Sequence, residues 1–513
     1  MKTSKFIRII FIFLLFSAYS YSQSSDWILL PDGLRLSNQM EYSYNTKDKI
    51  EIFENWLNVD YTKNIFSAGI RFEAFQPNDP DPSVSRGKVK YADIAYKYFS
   101  VDIGDVEKGL NITAGNFYTL FGRGMILKSY EDRNIRIDNN LLGLKVEANY
   151  LDFTLTALTG SAANFQNDRK DILHAADLQY NGFDLIKMGA SFASNLPSTE
   201  GLARTTLTSF RIQPAYWNFD GYAEYGIKTN KDVQKTIFND KESIIGKAFY
   251  SSLNFYYDAF SVVGEYKYYD NFAFTSEDGT IFYNTSPSLR KEYTYQLLNR
   301  HPSPLNQADE KGFAFEANYN FSDETSLTAN YGLTQTLDSA SFYQRVNGLN
   351  LPISTQLKEF YAQLNHSWAD WFTTIAAFGY NEELSTNTRN ITPVLENKFY
   401  FNEINTIKVV LEHQQTENLS TDEQYYNDVL ALEYLRSPGF NVSVVTEMQT
   451  KEPEDGRVVR KLWSFIQFGY KLGNHTDLSL LVGSRQAGNI CIGGVCRYEP
   501  AFQGVELKML TRL

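Results

Sequence analysis

The chain has 513 residues, of which 43% are hydrophobic, 15% aromatic and 21% charged, a composition too rich in Phe and Tyr for a disordered or low-complexity protein. Its mean hydropathy is -0.36, and no apolar run approaches the roughly 18 residues of a membrane-spanning helix, which excludes a helical membrane bundle. The formal charge is -12 with no block of Lys or Arg, which argues against a nucleic-acid partner.

At the N-terminus Lys2, Lys5 and Arg8 precede the apolar run from Ile9 to Phe16, and Ser20, Tyr21 and Ser22 stand before Gln23. This pattern predicts a secretory signal peptide over 1–22, too short to span a bilayer as an anchor. No Cys follows the cut, so a lipoprotein is not expected. Loss of three cations with the leader takes the charge from -12 to -15. The exported portion, 23–513, reads as a single domain.

That portion reads in twos. The first strand is expected near Leu34 to Tyr44. Leu144, Val146, Ala148 and Tyr150 alternate with Lys145, Glu147 and Asn149, and Phe153, Leu155 and Ala157 return after a turn at Leu151-Asp152. Phe260, Val262, Gly264, Tyr266 and Tyr268 alternate with Ser261, Glu265 and Lys267. Phe313, Phe315, Ala317, Tyr319 and Phe321 lead through Ser322-Asp323-Glu324-Thr325 into Leu327, Ala329, Tyr331 and Leu333. One apolar and one polar face is the period of a strand.

Short connections are expected near Lys63, Asp105, Asp152, Gly182, Asn218, Asp258, Asp323, Asp370, Asn402, Pro438 and Asn474. Longer polar ones fall between them, near 77–87, 123–139, 163–172, 195–204, 231–245, 273–311 and 337–358. Short turns on one rim and long loops on the other define an all-β fold, a transmembrane antiparallel β-barrel of about 24 strands (range 22–26) with long extracellular loops and both termini periplasmic. A stack of β-sandwiches would share the alternation. Against it, aromatics gather beside the short turns (Tyr216, Trp217 and Phe219; Tyr256, Tyr257 and Phe260; Trp368 and Trp371; Phe399, Tyr400 and Phe401), as in an interfacial girdle. Proline also avoids the strand patterns except at Pro214 and Pro393.

Two loops carry candidate sites. In the first, Gly122 and Gly124 permit a sharp turn, and Arg123, Lys128, Arg133 and Arg136 interleave with Glu131, Asp132 and Asp138. Folded inward, such a loop would constrict the pore and set its field; the blander reading is a charge cluster that locks the loop to the wall. The GxG lacks the βαβ context of a phosphate loop. The second, 273–311, holds Arg290, Tyr293, Tyr295, Arg300 and His301 and is read as a lid, inward plug or docking surface. A bore of this size needs something to occupy it, and a plug domain of the TonB-dependent type is not expected before the first strand.

Near the C-terminus, Cys491 and Cys496 flank Ile492-Gly493-Gly494-Val495. Gly-Gly suits a two-residue hairpin that sets the two Cys opposite each other, and export favours their oxidation to a disulfide. Metal and cofactors are not expected, because the five His (His174, His301, His366, His413, His475) are scattered. Catalysis is not expected either: His366-Ser367 and Glu412-His413 are the nearest approaches to a catalytic grouping. Val505, Leu507, Met509, Thr511 and Leu513 form a last alternating strand resembling the signal read by the barrel-insertion machinery, with Leu513 in place of the usual aromatic.

The segments Ala114-Gly115-Asn116-Phe117, Phe121-Gly122-Arg123-Gly124, Lys128-Ser129-Tyr130-Glu131-Asp132-Arg133, Ile137-Asp138-Asn139 and Gly143, with the ending Cys496-Arg497-Tyr498-Glu499-Pro500-Ala501-Phe502-Gln503-Gly504-Val505-Glu506-Leu507, resemble a Bacteroidota family of large outer-membrane barrels of unassigned function. The resemblance implies an outer-membrane location and no catalytic residues. The expected function is a passive, porin-like channel constricted by its loops; the alternative is a structural subunit of a larger outer-membrane complex. Expected partners are outer-membrane lipids, the insertion machinery and a protein at the extracellular loops.

Overall fold

A computed structural model describes residues 30–78, 91–105, 107–164, 168–231, 243–300, 305–337, 342–346, 349–353, 355–384, 386–451, 458–492 and 495–513, with the side chains of 231, 243, 342–346, 349–353 and 489–499 excepted. The leader over 1–22 and His301 lie outside the described residues.

Twenty-four strands form one antiparallel sheet in which each pairs with its neighbours in chain order. The last strand, Phe502–Arg512, pairs back onto the first, Leu34–Asn45, with Arg512 opposite Ser37 and Gly504 opposite Asn45, so the sheet closes on itself. Closure removes both sheet edges, leaving no row of unpaired N–H and C=O groups. On the rim that holds the strand ends nearest the termini, every connection is short. Several are two residues long, as at Leu151–Asp152, Trp217–Asn218 and Asp258–Ala259, and Leu151, Trp217 and Asp258 adopt the positive φ that tight hairpins demand. The expected short connections all fall on this rim. The long ones, including 118–140, 271–308, 336–354 and 486–501, fall on the other.

The strands are polar inside and apolar outside. In Arg204–Tyr216, Ser209 and Arg211 are buried while Thr208, Phe210 and Ile212 are exposed; in Thr388–Asn402, Asn390, Thr392 and Glu396 are buried while Pro393 and Leu395 are exposed. A water-soluble sandwich would place Phe210 and Leu395 inside, whereas a barrel surrounded by lipid places them outward. Pro214 and Pro393 each pair regularly with one neighbour, Ile186 and Phe378, and interrupt the ladder to the other. This follows from proline having no N–H to donate.

The exposed aromatics Tyr216, Trp217, Tyr256, Tyr257, Trp368, Trp371 and Phe401 stand at the short-turn rim. Phe210 lies midway along its strand on the apolar face. Phe210→Arg should therefore lower the unfolding free energy of the barrel in lipid vesicles by about 2 to 4 kcal/mol, while Phe210→Leu should leave it nearly unchanged, as read by denaturant titration.

Candidate functional site

Loop 118–140 runs across the lumen and is held at both ends. On one side Arg123 donates from Nη1 to Tyr250 Oη at 2.8 Å and lies over the rings of Tyr222 and Tyr250, 4.5 and 5.3 Å from their centroids. On the other, Arg136 grips both oxygens of buried Glu54 at 2.6 and 2.9 Å. Arg133 donates to Gln39 at 2.8 Å and covers the Trp56 ring. Arg71, on strand Phe66–Pro77, reaches from the wall to Glu131 at 2.9 Å and to Asp138. Lys128 lies over Tyr130, and Asp132 closes a local turn onto the Asn134 N–H. The charged side chains of this loop thus pair largely with the wall.

The two glycines matter for different reasons. At Gly122, with φ +54°, a side chain would meet the Tyr222 hydroxyl; at Gly124, with φ +86°, it would stand 2.8 Å from the Thr285 carbonyl oxygen. That second contact is where the two lumenal loops meet. Thr285 N–H donates to the Gly124 carbonyl at 3.0 Å, Lys128 N–H to the Tyr283 carbonyl at 2.8 Å, and Asn284 Nδ2 to the Met125 and Phe272 carbonyls at 2.9 and 3.0 Å. Phe121, Met125, Ile126, Leu127, Phe272, Phe274 and Tyr283 close around these bonds as an apolar core inside an otherwise polar bore. Each such side chain contributes about 1.5 to 3 kcal/mol when fully buried.

The rest of loop 271–308 crosses toward later strands. Lys291 pairs with Glu316, and Tyr293 donates to Glu359 at 3.2 Å. The backbone N–H groups of Gln296 and Leu297 point at Glu412, at 3.1 and 2.7 Å, and Arg300 takes Glu447 in a two-pronged pair whose Nη2 to Oε2 separation is 2.7 Å. Tyr295 and Leu298 pack on Tyr361, Val394 and Val410. Arg290 stands beside this group, its Nη1 without a hydrogen-bond partner among the described residues. The Tyr, Leu and Arg density that suggested a docking surface is therefore turned into the lumen.

Sequence reading missed the wall partners Glu54, Arg71, Glu359, Glu412 and Glu447. The available signal was a large charged residue at an inward position of an alternating strand, where lone acids look like ordinary solvated groups. Glu412 and His413 lie on opposite faces, Glu412 buried toward the lumen and His413 outward beside Asp428 at 2.7 Å. His366 bonds Thr325 and meets Trp368 edge-on.

Above the lumen, two carboxylates stitch three loops together. Glu277 accepts the backbone N–H of Thr199 and Ser198 and both hydroxyls. Those bonds, the Thr199 N–H foremost, lower its carboxyl below the usual range. Partial burial pushes the Asp278 carboxyl up, but bonds from Ser276, Thr280 and Asn164 outweigh it and hold the group well below the ordinary value.

A closed 24-stranded barrel with a polar lumen and an apolar belt is an outer-membrane β-barrel in class. The chain belongs to the DUF6029 family, a family of unknown function whose model matches residues 3–513. No curated protein matches it. Among solved structures it is similar to the E. coli P pilus tip assembly intermediate PapC-PapD-PapK-PapG, at 8% identity and a TM-score of 0.50 over 95% of this chain and 62% of that one. It is also similar to the translocation pore of the P pilus usher PapC, at 9% identity and 0.49 over 93% and 99%, and to the siderophore receptor PirA from Pseudomonas aeruginosa, at 9% and 0.44 over 94% and 80%. At such identities the likeness is one of fold.

Two outcomes follow from the loop contacts. Because the Glu277 and Asp278 carboxyls are depressed in the folded loops, their contribution is complete above an ordinary carboxyl pKa of about 4 and fades as pH falls through the lower native values. Limited proteolysis should cut 271–308 faster at pH 3 than at pH 7 while the barrel keeps its heat-modifiable gel migration, and Glu277→Gln should give faster cutting already at pH 7. Glu447→Ala, which strands buried Arg300, should weaken docking of the same loop by about 3 to 5 kcal/mol, seen as faster amide exchange at 290–300.

Proposed function

We propose that this protein is a passive outer-membrane channel whose bore is narrowed, not sealed, by its own two loops. The observation that carries this is an asymmetry in the wall. Behind the loops the inward side chains are dry: Arg211, Tyr250 and Gln414 are 1% exposed and Lys267 2%. Along strands Val459–Leu472, Thr476–Arg485 and Phe502–Arg512, the inward Lys461 and Lys471 are exposed, and the Lys508 side chain keeps 52% of its accessible surface. The wall contacts that fasten the two loops, at Tyr250, Glu54, Glu412 and Glu447, lie on other strands. A water-filled strip between loops and wall is the minimum a diffusive pathway needs.

This reading places the termini on the periplasmic side and assigns the chain no catalytic step. Purified protein in planar bilayers should give discrete conductance steps, and Glu447→Ala should enlarge them. Bilayers silent across voltage and salt would overturn the reading.

The hairpin Gly488–Ile492 and Val495–Glu499 sets Cys491 opposite Cys496 in its ladder, and its first strand lies against the turn Leu297–Asn299; the two side chains lie outside the described residues. We read them as a disulfide at the extracellular mouth, closing a loop short enough that it contributes only about 2 kcal/mol. In intact cells a membrane-impermeant thiol reagent should label them only after reduction. Labelling that requires permeabilising the outer membrane would reverse the assignment of the rims.

A further inference from the structure

We infer that the open strip selects small anions carrying an apolar face, although the chain as a whole is acidic; this rests on the channel reading and names the solute class of the same passage. The charge balance of the strip opposes that of the protein. On its three strands the inward charged side chains are the cations Lys461, Lys471, Arg485, Lys508 and Arg512 and the carboxylates Asp477 and Glu506. Their inward orientation follows from register: Lys461 is opposite Gln449, which bonds lumenal Asn427; Lys508 is opposite Ser479; and Lys471 is opposite Asp477.

Among the described residues, three ion pairs occupy the acids of these strands and Glu41 of the adjoining one. Arg485 holds Glu506 at 2.7 Å, Arg512 approaches Asp477 at 3.7 Å, and Lys508 takes Glu41 from the adjoining strand Leu34–Asn45 at 2.9 Å. Lys461 and Lys471 have no ion pair among the described residues, and they stand toward opposite ends of one strand, Lys461 near the long-loop rim and Lys471 near the short-turn rim. Among the described residues a permeating ion therefore meets a surplus of positive charge at both ends of this strand, where Lys471 shares Asp477 with Arg512. The acids that make the chain negative are employed elsewhere: Glu316, Glu359, Glu412 and Glu447 face the Lys and Arg side chains and backbone N–H groups of loop 271–308. A narrow aqueous passage with low-dielectric walls focuses the field of such a surplus.

Between the two lysines the same face presents Trp463 and Phe465, opposite lumenal Glu447 and Val445. Both are part-exposed. Two aromatic faces one strand-repeat apart, flanked by cations, suit a solute that joins a carboxylate or similar anion to a flat apolar body.

The test is the reversal potential of the intact protein in a potassium chloride gradient across a planar bilayer, with benzoate as the probe for the aromatic face. The expected results are reversal on the chloride side, a shift toward potassium for Lys461→Glu with Lys471→Glu, and reduction of the chloride current by benzoate that is lost in Trp463→Ala. Conductance that reverses on the potassium side in the unaltered protein would overturn the inference while leaving the channel intact. Chloride preference without block by benzoate would overturn the aromatic part. Absence of any conductance would overturn the channel reading and the inference together. The unaltered protein decides the charge question even where a variant fails to insert.

Discussion

The constraint on which everything else depends is that lipid offers no partner for a backbone N–H or C=O. A sheet that must satisfy every such group from within has to close, and closure here is made by the pairing of Phe502–Arg512 with Leu34–Asn45. Once the ring is closed, side-chain alternation leaves no freedom: one face of every strand meets hydrocarbon and the other meets the lumen. Phe210 and Leu395 are outward and Arg211 and Glu396 inward for that single reason. The two strand prolines show the tolerance of the scheme, since each costs one side of its ladder for a short stretch and no more.

A ring of 24 strands creates a second problem, a bore too wide to be filled by wall side chains alone. Here it is addressed with the chain's own loops. The two loops form a small apolar core where they meet, through Phe121, Met125, Phe274 and Tyr283, and are fastened to the wall by charge. Breaking one partner of such a buried pair is far more costly than the pair is stabilising, so the contacts fix position more than they add stability. Arg136 on Glu54 and Arg300 on Glu447 hold each loop at a distance from its own strands, and Gly124 lets the two backbones come together.

Charge is thus sorted by location. Carboxylates concentrate where they receive the loops, while Lys461 and Lys471 on Val459–Leu472 have no ion pair among the described residues. The overall charge of -12 says little about the field along the bore, because acids such as Glu54, Glu316 and Glu447 are consumed in holding the loops. The same sorting explains why Glu412 and His413, neighbours in sequence, share no chemistry: the strand turns them to opposite solvents.

The sequence by itself determined the class of fold, its strand number to within about two, and the alternation of short turns with longer loops. Each of these is local: a period of two over ten or so residues, a polar pair at a turn, an aromatic next to it. It also singled out the loop around Arg123 to Asp138 and the loop containing Arg290 to Arg300 as the segments that matter, from glycine spacing and unusual length. The partners of those loops were decided only by tertiary structure. Glu54, Arg71, Glu359, Glu412 and Glu447 are single charged residues inside ordinary alternating strands, and nothing within a few positions of any of them tells which of 24 strands will face which loop across the lumen. That pairing depends on closure of the ring, a contact between the two ends of the chain.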